Sequence, residues 1–129
     1  KKNSIKKIID MQIKKTGKLF VFVCLAPALI ANKDKKIINR LEKIGHEIGL
    51  LFQIVDDLID YRGNSKKAGK KTNKDQKKGK ATLISFLGYQ NTIKYSHKIK
   101  FDILKKLEIF GKKGDSLRNT VQFILERDK

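Results

Sequence analysis

Apolar residues recur at intervals of three and four along most of the chain, which is the pattern of helices that bury one face. No segment alternates apolar and polar residues in the manner of a half-buried strand. We therefore expect an all-α fold, built as a helical bundle. The pattern predicts helices at about 3–15, 18–31, 34–61, 81–88, 90–110 and 116–127, with a basic loop at 62–80.

The helix predicted over 34–61 carries a polar stripe on an otherwise apolar surface. Its second half is apolar on most sides, so we expect that half to lie inside the bundle. The spacings of four, four, three and four keep the stripe on one helix face, formed by Gly45, Gly49, Gln53, Asp56 and Asp60. Asp57 flanks the stripe at about 100° on the helical wheel.

Asp56 and Asp60 predict a site for a divalent cation. Two carboxylates one turn apart repel each other, and burying even one is costly without compensation. A hard cation such as Mg²⁺ is the direct remedy, because it prefers carboxylate oxygens. Gly45 and Gly49 remove side-chain bulk from the same stripe, which we expect to leave room for a ligand. The alternative is a solvated acidic helix end, and the apolar surroundings favour the metal site over it.

Two segments carry basic residues that can complement this stripe. A Lys-rich loop begins directly after the Asp pair, and Lys15-Thr16-Gly17 adds a cation and a hydroxyl if its helix packs alongside. Mg²⁺ held by carboxylates commonly binds substrate phosphates, and nearby cations neutralise the remaining phosphate charge. The pattern therefore predicts a pocket for Mg²⁺ and a diphosphate.

The net charge of +18 admits a second interpretation. Lys and Arg total 31 against 13 Asp and Glu, which allows a basic nucleic-acid-binding helical module with residues 66–80 as its electrostatic tract. Only four of the 31 basic residues are Arg, however, whereas nucleic-acid readers favour Arg for bidentate contacts and aromatic residues for stacking. That alternative also leaves the polar stripe unexplained. We therefore expect no nucleic-acid partner and attribute most of the lysine excess to AT-rich codon usage.

The apolar runs and the cysteine content argue against a membrane-spanning protein and a disulfide-bonded one. The longest nearly uninterrupted apolar run, Leu19–Ala31, has 13 residues, which is short of the roughly 18–20 that span a bilayer. No membrane span is therefore expected. The lone Cys24 excludes an internal disulfide and fits a reducing compartment, so we expect a cytoplasmic protein.

Ordered elements along the chain resemble those of the polyprenyl synthetase family. The segment Gly49–Asp60 (GLLFQIVDDLID) looks like the second aspartate-rich motif of that family. The other similar elements are Lys15-Thr16-Gly17, Gly69-Lys70, Asp75, Gly79-Lys80-Ala81-Thr82 and the ending Ile124–Arg127. The chain is most similar to the C-terminal half of bacterial farnesyl diphosphate synthases (geranyltranstransferases), so residues 1–129 are expected to be the C-terminal part of one prenyl synthase domain.

The resemblance implies an isoprenoid-synthase-type helical bundle whose cavity lies between two facing aspartate-rich helices. It implies a short-chain prenyltransferase that condenses isopentenyl diphosphate head to tail with an allylic diphosphate. In the family, Mg²⁺ assists departure of diphosphate, the isopentenyl double bond attacks the allylic carbocation, and loss of a proton restores an alkene.

The resemblance also implies roles for acidic residues of this chain. Asp56 and Asp60 would bind Mg²⁺ with Asp57 nearby, and Asp75 would hold a water molecule in the metal shell. Asp56 is therefore counted among the catalytic residues.

Basic and neutral polar residues receive roles from the same resemblance. Lys15, Lys70 and Lys80 would contact diphosphate groups. Thr16 and Gln53 would lie near the carbocation, where hydroxyl and amide dipoles stabilise positive charge. The implied catalytic set is thus completed by Lys15, Thr16 and Gln53.

The chain departs from the family pattern in ways that bear on activity. The 129 residues contain neither the first aspartate-rich motif nor the basic residues after it that bind isopentenyl diphosphate, and Asn64 stands where many members have Asp. We therefore expect the chain to be incomplete and inactive alone, and the full-length enzyme to be a homodimer. A catalytically silent prenyltransferase-like subunit that pairs with an active partner is a further alternative.

Overall fold

Every regular element in the described part of the chain is a helix. The computed structural model describes residues 2–68 and 82–127, without the side chains at 2–4, 12, 13, 15 and 64–68. In chain order the elements are α1 (Lys2–Gln12), a π-helical turn (Ile13–Gly17), α2 (Lys18–Ile30), α3 (Lys35–Ala68), α4 (Leu83–Leu87), α5 (Tyr89–Leu107), a 3-10 turn (Glu108–Gly114) and α6 (Asp115–Glu126). The all-α prediction is confirmed.

Helix α3 is longer than its sequence pattern predicts. The apolar period ends at Tyr61, and the loop was expected to begin at residue 62, but the helix continues to Ala68. Arg, Lys and Ala are strong helix formers, and elongation of an established helix is far easier than its nucleation. The single Gly63 costs about 1 kcal/mol there, which the preceding turns offset. The loop prediction is therefore wrong for 62–68, and its remainder at 69–80 lies outside the described residues.

Two other predicted helices end early because tighter or wider turns follow them. The first was expected to reach residue 15, but α1 ends at Gln12 and the π-helical turn follows. The fifth was expected to reach residue 110, but α5 ends at Leu107 and passes into the 3-10 turn. Gly111 in that turn has φ of 50°, a left-handed value that Gly adopts without the Cβ penalty.

Helix α3 is the central element and contacts each of the other α-helices of the described part. Its most deeply buried side chains follow the helical period and are at most 2% exposed: Ile44, Ile48, Leu51, Ile54 and Val55. A helix that is buried on so much of its circumference leaves only one face for polar chemistry. The position of the polar stripe on α3 therefore fixes where a site can form.

Helices α2 and α3 cross at backbone contact, and two glycines of the stripe make this possible. A Cβ on Gly45 would lie 2.7 Å from the Cα of Val21, and one on Gly49 would lie 2.6 Å from the Cα of Gly17. No real Cβ packs that closely against backbone. The expectation that Gly45 and Gly49 leave room for a ligand is therefore wrong, because the backbone of α2 and the π-helical turn fills that space.

Helix α2 presents a broad apolar face to solvent. Five of its large apolar side chains are 53–83% exposed: Leu19, Phe22, Val23, Leu29 and Ile30. The helix has 13 residues, and no helix among the described residues is long and apolar enough to cross a membrane. Contiguous exposed apolar surface of this kind typically marks an interaction face.

Candidate functional site

Gln53 joins α3 to the π-helical turn through one hydrogen bond. Its Nε2 donates to the Thr16 hydroxyl oxygen at 2.8 Å, across 37 positions of sequence. Gln53 is only 7% exposed, and a buried amide needs such a partner to offset its lost hydration. The structure thus brings together two residues that the sequence placed in separate motifs.

The close crossing of α2 and α3 positions this bond. Gly17 lies against Gly49, one turn before Gln53 on α3, and so carries the adjacent Thr16 to the stripe. Phe20 and Phe52 pack beside it with their ring centroids 5.3 Å apart. An aromatic pair at that separation adds stability beyond its buried area, so the two helices are fixed next to the polar groups.

Asp56 forms an ion pair with Arg127, which follows the end of α6. Arg127 also donates from Nη2 to the Phe52 carbonyl oxygen at 3.0 Å, and its guanidinium carbon lies 4.0 Å from the centroid of the Phe52 ring. The Arg127 side chain is 14% exposed and the Asp56 side chain 41%. The Asp56 carboxylate therefore already has a counter-charge, contributed by the last residue of the described chain.

The role of Arg127 is not evident from the sequence. It lies 71 positions from Asp56, outside any periodic pattern that includes the stripe. Helical periodicity relates residues within one helix, whereas this contact depends on how α6 returns to α3. The only sequence signal was the Ile124–Arg127 ending, which assigned no partner to the guanidinium.

The other two acidic residues lie beyond this contact along α3. Asp60 is exposed and Asp57 is partly buried on the adjacent face. Among the described residues, no group of three or more His, Cys, Asp or Glu side chains could hold a metal ion. An all-protein metal cage is thus not formed by these residues.

The Asp56 and Asp60 pair nevertheless fits Mg²⁺ in the form in which it binds substrates. Mg²⁺ is usually held by one or two carboxylates, with phosphate oxygens and water in the remaining positions. Two carboxylates one turn apart supply that donor set, and both reach solvent, where water and phosphate can approach. Their exposure also lowers the burial cost on which the sequence argument relied.

The side chains of the other predicted site residues lie outside the described part. Lys15 belongs to the π-helical turn by its backbone, and its side chain is among those not described. Lys70, Asp75 and Lys80 lie outside the described residues. The site seen in the structure therefore consists of Thr16, Gln53, the acidic residues of α3 and Arg127.

A family model and individual relatives both match this chain. The family model described as polyprenyl synthetase matches residues 1–118. The chain is 35% identical to a geranylgeranyl diphosphate synthase of Cyanophora paradoxa, over 92% of the chain and 39% of that protein. It is 32% identical to a farnesyl diphosphate synthase of Micrococcus luteus, over 92% of the chain and 41% of that protein.

A third relative and the solved structures complete the comparison. The chain is 29% identical to a farnesyl diphosphate synthase of Bacillus subtilis, over 95% of the chain and 40% of that protein. No solved structure is significantly similar to the chain. The chain therefore spans about two fifths of the length of these relatives.

Proposed function

The chain belongs to the polyprenyl synthetase family, and on that premise we propose that it supplies the diphosphate-binding part of a short-chain isoprenyl diphosphate synthase. The reaction would join isopentenyl diphosphate to an allylic diphosphate. This is supported by relatives that are named as synthases of geranylgeranyl diphosphate and farnesyl diphosphate. The observation that carries the proposal is the 2.8 Å hydrogen bond from Gln53 to Thr16. It unites two separate family-like motifs beside the acidic pair of α3.

Each polar group of the site has a distinct task in this proposal. Asp56 and Asp60 would hold Mg²⁺, which when bound supplies positive charge to a departing diphosphate. Gln53 uses its amide nitrogen to hold Thr16, so the carbonyl end of the amide dipole is the end that would act on positive charge in the allylic chain. Neutral dipoles suit this role because they stabilise a cation without capturing it.

Three lysines and two further acidic residues complete the proposal. We propose that Lys15, Lys70 and Lys80 bind diphosphate oxygens, that Asp75 orders a water molecule near the metal, and that Asp57 supports the Asp56 and Asp60 pair. A Lys ammonium group suits phosphate as a compact charge. These assignments rest on the position of each residue in the family-like motifs.

The proposed enzyme requires more than these 129 residues. The chain spans about two fifths of its relatives and contains one aspartate-rich segment, so we propose that residues 1–129 form the C-terminal part of one prenyl synthase domain and do not condense substrates alone. The exposed apolar face of α2 supports this, because it fits a surface on which further helices pack. We further propose a cytoplasmic, homodimeric full-length enzyme.

Binding of Mg²⁺ and inorganic pyrophosphate to the purified chain tests the site. We expect calorimetry to show weak binding that the Asp56→Asn, Asp60→Asn double variant reduces by about tenfold or more, as loss of two carboxylate ligands to Mg²⁺ implies. Asp115→Asn, which removes an exposed carboxylate on α6, is the matched control and should leave binding unchanged. Equal binding by wild type and the double variant would show that the metal lies elsewhere.

Turnover provides a separate test of completeness. Geranyl diphosphate and isopentenyl diphosphate, supplied with Mg²⁺ to the 129-residue chain, should give no prenyl product. Product formation at a rate that depends on Asp56 would contradict the proposed incompleteness while supporting the proposed reaction. Salt-sensitive binding of nucleic acid that is independent of Mg²⁺ would instead favour the basic-module alternative.

A further inference from the structure

Arg127 makes three contacts with one turn of α3. The guanidinium pairs with the Asp56 carboxylate, donates to the Phe52 carbonyl oxygen and stacks on the Phe52 ring. Two of these contacts do not involve the carboxylate. The guanidinium is therefore held beside Asp56 by Phe52 as well as by the ion pair.

The same carboxylate cannot serve Arg127 and a metal ion equally well. A guanidinium and a divalent cation at one carboxylate repel each other strongly at contact distances. In addition, the Arg127 Nε–H is buried without an acceptor, so the ion pair leaves one donor unsatisfied. An incompletely satisfied pair is easier to replace than a fully satisfied one.

We propose that Arg127 is the resident counter-cation of Asp56 in the metal-free protein, and that Mg²⁺ with a diphosphate displaces it. This inference rests on the proposed function, since it takes Asp56 as a metal ligand. Arg127 would act as a positioning residue. It neutralises the carboxylate while the site is empty, holds α6 against α3, and lowers the affinity of the site for metal in the absence of diphosphate.

The Nε–H of Arg127 gives a direct measure of displacement. The chain has four arginines, so ¹⁵N-arginine labelling yields four Nε–H signals, and Arg127→Gln identifies the one from Arg127. In EDTA the buried Nε–H should exchange slowly with solvent. Saturation with Mg²⁺ and inorganic pyrophosphate, followed by ³¹P shifts, should raise that exchange rate by about tenfold or more, as local opening does.

The other three arginines serve as internal controls in the same spectrum, and their signals should not respond. An unchanged Arg127 signal while the ³¹P shifts report saturation would overturn displacement and leave the proposed function standing. Absence of any ³¹P shift that depends on Asp56 would overturn both.

Metal affinity provides an independent test of competition. Without pyrophosphate, which would itself chelate the metal, Arg127→Gln should bind Mn²⁺ about three- to fivefold more tightly by electron paramagnetic resonance, the range expected for a partly exposed ion pair. Arg118→Gln is the matched control, since Arg118 pairs with Asp115 on the same helix. Arg127→Lys keeps the charge and should remain close to wild type, which guards against an effect of misfolding.

The Asp56→Asn variant distinguishes a failure of the Arg127 inference from a failure of the proposed metal site. There, Arg127→Gln should no longer change Mn²⁺ affinity, because the contested carboxylate is gone. Equal affinity of wild type and Arg127→Gln, with a weakened Asp56→Asn variant, would overturn the inference alone. Equal affinity of wild type and Asp56→Asn would instead remove the proposed metal site together with the inference.

Discussion

Gly49 lies against Gly17 so closely that a Cβ on Gly49 would approach the Gly17 Cα to 2.6 Å. Gly49→Ala should therefore destabilise the fold by about 1–3 kcal/mol, because backbone on both sides prevents a small adjustment. Chemical denaturation followed by circular dichroism measures this change.

The same helix offers a matched control at Gly63, where an added Cβ meets nothing within 4 Å. Gly63→Ala should raise the free energy of unfolding by about 0.5–1 kcal/mol, since Ala is the better helix former. If both substitutions changed stability alike, the close crossing of α2 and α3 would be refuted.

The hydrogen bond between Gln53 and Thr16 should be measurable as a coupling. We expect a double-mutant cycle with Gln53→Leu and Thr16→Val to give about 0.5–1.5 kcal/mol of interaction energy, the range of a neutral hydrogen bond. The free energies of unfolding lost in the two single variants should sum to more than the loss in the double variant, because each single variant leaves a buried polar partner unsatisfied. Strictly additive effects would mean that the two side chains act independently.

Two leucines on neighbouring helices, one in the core and one on the surface, allow a matched comparison. Leu51 of α3 is 0% exposed, whereas Leu29 of α2 is 53% exposed. Leu51→Ala should lower the free energy of unfolding by about 2–5 kcal/mol. Leu29→Ala should change it by about 0.5 kcal/mol or less, as for other surface substitutions. A large loss at Leu29 would indicate that the apolar face of α2 is covered in solution.

Burial raises the pKa of the Cys24 thiol above its ordinary value of 9.0. Above pH 9 the unfolded state loses the thiol proton while the folded state still retains it. The contribution of the buried thiol to the free energy of unfolding is therefore complete below pH 9 and is lost as the pH rises beyond it. The midpoint temperature of thermal unfolding should decrease more between pH 8 and pH 10 for wild type than for Cys24→Ala. The same decrease in both proteins would argue against a buried thiol.

Alkylation reports on the same group in another way. Iodoacetamide reacts with the thiolate, so native Cys24 should react slowly at pH 8 and rapidly after addition of denaturant. Fast labelling of the native chain would contradict its burial.

The placement of residues on the face of a single helix could be predicted from the sequence. Periodicity placed Gln53 and Asp56 on one face, and the structure brings Gln53 to Thr16. The role of Gly45 and Gly49 could not be read in the same way, because an absent side chain admits a ligand or a neighbouring backbone equally well. Only the path of α2 decides between them.

The end of α3 and the partner of Asp56 escaped prediction for different reasons. Residues 62–68 lack an apolar period, so their helical state comes from propensity and from elongation of a stable helix. Arg127 reaches Asp56 through the tertiary arrangement of α6, to which local patterns are insensitive. The functions of Lys70, Asp75 and Lys80 stay predictions.

The π-helical turn at Ile13–Gly17 makes the length of this segment as important as its composition. Such a turn behaves as an α-helix that has absorbed one extra residue. Insertion of a further residue next to Lys14 would rotate α1 by about 100° relative to α2 while Gly17 stays against Gly49. Ile8, which is 5% exposed, would then leave the core. Variation in this segment is therefore constrained by residue number, so substitutions should be accepted where further insertions are not.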